Sequence, residues 1–303
     1  MSAPGIDDAA GPPVARRSPA ARATARFGPY LLLAPSALFM LLLFGWPLVV
    51  GVAQAFGSFA APTTANWQRM SNDPRFWLAV RDTLLLVVVL IPLQFTLALA
   101  MALLLREKLR LSGMYFYLWA VPLAVSDLAA GLVWLSIFTN NGYLNSALSA
   151  IGVDPVEWLS YQNTGTMFLA VVVAELWRAT SLVLIIIVAG MQLIPRDYDE
   201  AAQVFGATFW QRLRHVTLPL LKPSLQVALI LRTILALEAF AVAQALTGRN
   251  FPLLVGETYE WYHNLADPGV ASAVALVVLC VSIVTAFAYL RLLRQPGTGR
   301  ASR

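Results

Sequence analysis

The chemistry-bearing residues of this sequence stand inside long apolar runs. Glu175 and Arg178 lie three residues apart, on one face of a helix, within such a run. Asp127, Gln94, Arg232, Glu238 and Gln244 interrupt others, and Trp134 and Trp177 lie among them. Ionised groups are costly in lipid, so they face a cavity, a partner or one another. An indole can stack on a flat or apolar face of a bound molecule. The same residue types also hold helices together, and Trp favours the membrane interface. Gln94, Asp127, Trp134, Glu175, Trp177, Arg178, Glu238 and Gln244 are therefore candidates for a substrate pathway, with helix packing as the alternative.

No motif for covalent chemistry accompanies them. The chain has no Gly-x-x-x-x-Gly-Lys-Ser/Thr to cradle phosphates, no His-Glu-x-x-His and no Gly-x-Ser-x-Gly elbow. Its single cysteine, Cys280, sits in an apolar run, and His215 and His263 are far apart. The expectation is no catalytic residue, no metal and no cofactor on this chain. Any work that needs energy would draw it from a separate chain or an ion gradient.

The elements that carry these residues are membrane helices. Of 303 residues 59% are hydrophobic and only 12% charged, against about a quarter charged in soluble domains. Six stretches, approximately 29–54, 77–105, 113–139, 166–190, 223–247 and 270–294, are long enough to cross roughly 30 Å of hydrocarbon as helices. Continuous apolar runs such as Leu84–Ile91 exclude barrel strands, which alternate. Residues 1–28, with Arg16, Arg17, Arg22 and Arg26, look like a disordered basic tail. A signal peptide is the competing reading, but the run that follows is too long for one. Residues 295–303 form a second short tail.

The net charge of +5 follows orientation rather than nucleic acid. One side of the membrane collects the N-terminal arginines, Arg106, Lys108, Arg110, Arg196, Arg212, Arg214, Lys222, Arg291, Arg294, Arg300 and Arg303. The other holds Arg69, Arg75 and Arg249. Positive residues stay inside, so both termini and the segment 196–222 are expected in the cytoplasm. The outer loops at 55–76, 140–165 and 248–269 are too short for an inserted domain.

Segment 196–222 is a polar island between two apolar runs. Glu200, Ala201, Ala202 and Gln203 favour helix, and Gly206 stands where a helix could end and turn. Trp210, Leu213 and Val216 recur at helical spacing, and Pro219 is expected to close the segment. The bare pattern predicts a helix–turn–helix at the membrane surface, with an ordinary amphipathic interfacial helix as the alternative.

Glu200-Ala201-Ala202, then Gly206, then Leu218-Pro219 twelve residues beyond that glycine, resembles the cytoplasmic loop of ABC importer permeases. The flanks Ala189–Pro195 and Leu218–Pro223 resemble the carbohydrate-uptake, maltose-type branch. Phe205 and Leu213 depart from its usual Asp and aromatic, and Ala241 and Arg249-Asn250-Phe251 from its pattern after span five. The resemblance covers nearly all of 29–294 and implies an all-α, six-helix, type I importer permease. It implies that Glu200, Ala201, Ala202, Gly206, Leu218 and Pro219 couple to an ATPase dimer holding ATP and Mg. A second similar permease, an extracytoplasmic solute-binding protein and membrane lipid complete the implied partners. The solute would be a sugar or related polyol. An importer for glycerol phosphate, an amino sugar or an amine, and an ion-coupled carrier or scaffold, remain alternatives.

Overall fold

The computed structural model describes residue 30, residues 32–107 and residues 110–292. The tails 1–28 and 295–303, and Lys108 with them, lie outside these. The described residues are helical, without a strand. The chain divides into two units, residues 1–51 and 52–303. Helix α1, Leu32–Ala55, is apolar along its length and carries a widened turn at Leu41–Gly45. The Gly45-Trp46-Pro47 sequence does not break it, because Pro47 falls in the first turn after that widening, where a missing N–H costs little.

The second unit is a bundle. Its helices are α2 (Ala65–Asn72), α3 (Pro74–Arg106), α4 (Ser112–Ala120), α5 (Asp127–Phe138), α6 (Tyr143–Ala150) and α7 (Thr164–Gln192). They continue with α8 (Asp197–Val204), α9 (Phe209–Leu237), α10 (Ala241–Thr247), α11 (Leu254–Tyr259) and α12 (Pro268–Leu292). Side-chain caps start the long ones. The Asp73 carboxylate accepts the Arg75 N–H at 2.9 Å, with Pro74 in the first position of α3. Asn163 caps α7, and Asp267 accepts the Val270 N–H of α12.

Helix α7 is the core. It buries Met167, Val171, Ala174, Val183, Leu184 and Ile187, and packs against α3, α5, α9 and α10. Small residues permit the closest crossings. A Cβ at Gly190 would overlap Ser224 of α9, and one at Gly131 would come within 2.6 Å of Ala245 of α10. Helix α12 closes the other side against α9 and α11.

Helices α1, α3, α7, α9 and α12 are long and apolar enough to cross a membrane. The expected third span, 113–139, is instead broken: Ser112–Ala124 and Asp127–Ala150 meet at 102°. Pro122 sits in a tight 3₁₀ turn, and the Ser126 hydroxyl accepts the Ala129 N–H to start a new helix. The expected fifth span, 223–247, also fails to run through. Helix α9 ends at Leu237, and Glu238-Ala239-Phe240 separate it from α10. The outer loops are not plain turns either: 140–165 contains α6, and 248–269 contains α11 with a wide turn at Glu260–Asn264.

Candidate functional site: a buried charge relay and a clasped lever

Three long helices and the broken one bring the intramembrane charges together. Arg232 on α9 donates from Nε to Gln94 Oε1 of α3 at 2.8 Å, and from Nη2 to Glu175 Oε2 of α7 at 3.1 Å. Gln94 Nε2 donates in turn to the Glu175 backbone carbonyl at 3.1 Å. Arg178 Nη2 lies 3.7 Å from Glu175 Oε2, and its Nη1 lies 2.7 Å from Asp127 Oδ1. The side chains of Arg232 and Glu175 are 1% and 3% exposed, whereas that of Asp127 is 52% exposed. Two guanidiniums thus face two carboxylates in one line, from the bundle centre to its surface. A buried charge without such partners would not be tolerated in a membrane helix.

Next to Asp127, Trp134 meets Trp177 edge to face with ring centroids 6.0 Å apart. Arg178 Nε and Trp134 Nε1 are buried with no hydrogen-bond partner among the described residues. Trp177 also borders a cavity of about 310 Å3 with Trp119, Pro122, Thr180 and Ser181. Asp127, Trp134, Trp177 and Arg178 therefore share one neighbourhood, and Gln94 and Glu175 lie behind it. Glu238 and Gln244 are exposed, at the end of α9 and on α10. A second recess, about 340 Å3, is lined by Phe240, Tyr259, Tyr262 and His263. Sequence reasoning named none of these four as site residues. It noted Arg232 without seeing that it, more than Arg178, engages Glu175.

The opposite feature is the projection formed by α8 and the start of α9. It begins with Asp197, Asp199 and Glu200 in the first turn of α8, where the helix dipole favours carboxylates. It ends in a left-handed cap: Gly206 has φ +78°, its N–H meets the Gln203 carbonyl at 2.9 Å, and the Ala207 N–H meets the Ala202 carbonyl at 3.0 Å. Thr208 and Gln211 exchange side-chain and backbone bonds to open α9. The result is the predicted helix–turn–helix.

Pro219 does not close it. Helix α9 continues from Phe209 to Leu237 through Pro219 and Pro223. A wide turn at Leu213–Thr217, in which the Leu218 N–H reaches back to the Leu213 carbonyl, precedes Leu218-Pro219. Such a turn absorbs the donor that a proline lacks.

The lever is clasped to the bundle by a residue that the sequence did not single out. Asp199 Oδ2 lies 3.8 Å from Arg106 Nη2 at the end of α3 and 3.5 Å from Arg212 Nη1 on α9. Arg106 Nη1 also donates to Thr217 Oγ1 at 3.3 Å. Glu200 and Ala201 are exposed and Ala202 is half-buried. At the tip, Val204, Phe205 and Trp210 are 85%, 91% and 74% exposed. In the sequence Arg106 stands out only as one of the basic residues on one side of the membrane, and its pairing with Asp199 depends on how α3 meets α8.

At the far end of the bundle, Arg75 of α3 donates to the Arg249 carbonyl at 2.7 Å and lies 3.6 Å from Glu257 of α11. Arg249 pairs with Glu260 at 2.8 Å. Burial pushes the Glu257 carboxyl above its ordinary range, against the pull of Arg75.

Residues 94–295 match the family described as the binding-protein-dependent transport system inner membrane component. The chain is 34% identical over 234 residues to the trehalose/maltose transport system permease protein MalF of Thermococcus litoralis, covering 75% of this chain and 77% of that one. It is 32% identical over 283 residues to the sulfoquinovosyl glycerol transport system permease protein SmoG of Agrobacterium fabrum, covering 87% and 89%. Among solved structures, a bacterial alginate ABC transporter in complex with an alginate pentasaccharide-bound periplasmic protein shares the fold, with a TM-score of 0.77 and 21% identity over 90% of this chain and 96% of that one. With the matched segment spanning the charge relay and the clasped lever alike, the chain belongs to the binding-protein-dependent transport system inner membrane components, the permease subunits of ABC transporters.

Proposed function

We propose that this permease subunit carries a sugar or related glycoside into the cell, and that the α8–α9 lever couples it to a separate ATPase dimer that binds ATP and Mg. The observation that carries the coupling is the bare tip: Val204, Phe205 and Trp210 stand almost fully in solvent on a segment otherwise capped and clasped. Exposed apolar groups of this size on a rigid projection favour a protein groove. Glu200, Ala201, Ala202, Gly206, Leu218 and Pro219 belong to this coupling element. The lever and both termini face the cytoplasm, in keeping with the crowding of arginines at its end of the bundle. Relatives named for trehalose, maltose, lactose and arabinooligosaccharides favour a carbohydrate.

A second, similar permease completes the pathway, and an extracytoplasmic binding protein delivers solute to the end that carries Arg75 and Arg249. Asp127, Trp134, Trp177 and Arg178 offer the pathway a stacking face and hydrogen-bonding groups. Gln94 and Glu175 hold Arg178 and Arg232 in place, and Glu238 and Gln244 stand near the break in span five. ATP-driven closure of the partner dimer pushes the lever, and α3 and α9 rock with it through Arg106 and Arg212.

Gly206→Pro removes the N–H that closes the left-handed cap and forbids its φ. Glu200→Lys reverses the charge presented beside the tip. In cells expressing the full transporter, either variant is expected to abolish solute uptake while membrane insertion stays normal. Normal uptake in both would remove the coupling assignment.

A further inference from the structure

A further cavity lies beside the root of the lever, apart from the charge relay. It measures about 660 Å3 and opens where α3 and α7 end and α4 begins. Leu105, Phe116, Val188 and Met191 give it apolar walls. Arg106 and Arg196 stand at its polar end. Gly113 lines it, and a Cβ there would meet nothing within 4 Å. Arg106 already has Asp199, but Arg196 has no carboxylate within ion-pair distance among the described residues. Tyr117, which lines it, is exposed, as are Met114, Tyr115 and Leu118 on the same helix.

We propose that this groove holds one anionic phospholipid, with its phosphate at Arg106 and Arg196 and its acyl chains along the apolar walls. Three features select a lipid. The groove lies at the end of two apolar spans, where hydrocarbon gives way to headgroups. Tyr115 and Tyr117 are the residue type that marks that level. Apolar walls stand beside two guanidiniums, which supply the donors that a phosphate accepts. The lipid would lie against the first residues of the α8 lever, since Arg196 immediately precedes it.

The test is native mass spectrometry of the intact transporter released from mixed micelles of phosphatidylglycerol and phosphatidylcholine with identical chains. One phosphatidylglycerol retained per copy of this chain is expected. Arg196→Gln should lower the preference over phosphatidylcholine roughly fivefold, the loss expected for one arginine at an anionic surface. Arg196 makes no side-chain cap, so α8 should persist in this variant. Gly113→Leu, which adds bulk to the lining and keeps both arginines, should remove the bound lipid. Arg214→Gln, an exposed cation of the same segment outside the groove, should change nothing. Equal retention of the two lipids, no bound lipid in the wild type, or equal loss in the Arg196 and Arg214 variants would overturn the proposal. So would displacement by excess glycerol 3-phosphate, which would identify a soluble phosphate ester instead. Uptake is not the readout, so the result stands apart from the coupling assignment.

Discussion

The chain uses arginine–carboxylate contacts twice, and the two clusters are built differently. In the relay, Arg232, Glu175, Arg178 and Asp127 balance in charge, and Gln94 fills the remaining bonds at the buried end. In the clasp, one carboxylate, Asp199, sits between two arginines, each about a fifth exposed, at distances of 3.5 and 3.8 Å. The relay is closely paired at its buried end, Arg232 and Glu175, because an unpaired charge at that depth has no water to fall back on. The clasp is loose because water and a partner protein can substitute for either contact. On the proposed coupling role, the bundle has to hold and the lever has to move, which fits this difference.

Breaking the relay should have the largest effect. Arg232→Gln leaves Glu175 without its closest cation in the core, a loss of about 3–5 kcal/mol. Thermal unfolding in detergent should show it, and adding Glu175→Gln should restore most of the stability. A double variant as unstable as the single one would mean that charge balance is not what holds these helices. Asp199→Asn should cost the fold about 1 kcal/mol or less, because the pairs are long and reach solvent at one edge. Its effect should appear as more ATP hydrolysed per solute imported, and Asp199→Glu should restore the ratio. Unchanged stoichiometry in Asp199→Asn would reduce the clasp to a surface contact.

The far-end contact between Arg75 and Glu257 sharpens the comparison at the smallest scale. Burial raises the Glu257 carboxyl above 4.5, so the neutral form is the one that the fold favours. Its stabilisation is present below that ordinary value and is lost as pH rises through the raised one. Wild type should therefore lose thermal stability relative to Glu257→Gln as the pH is raised from about 4 towards neutrality. Parallel profiles would show that Arg75 compensates the burial.

The long helices were legible because apolar runs of membrane length leave few alternatives. The lever was legible because Gly206, and the helix formers before it, act through local backbone rules. The two broken spans were not. Hydropathy is continuous through Val121–Val125, and it hides the start signal of Ser126, whose hydroxyl caps α5. The stop at Glu238–Phe240 accompanies the packing of Ala245 on Gly131, a contact between distant segments. Pro219 misled because its local tendency to end a helix is absorbed by a wide turn upstream. The relay partners Gln94, Glu175 and Arg232 each stood out in the sequence as costly residues, but which of them meet depends on how α3, α7 and α9 cross.

Placement of the lever tip against a nucleotide-hydrolysing partner can be measured with a single cysteine. In a Cys280→Ser background, Phe205→Cys should cross-link through a short bifunctional reagent to the co-expressed ATPase subunit, and a membrane-impermeant maleimide added outside intact cells should not label it. Labelling from outside, or a transporter that moves solute with no ATPase within reach of residue 205, would contradict the coupling role.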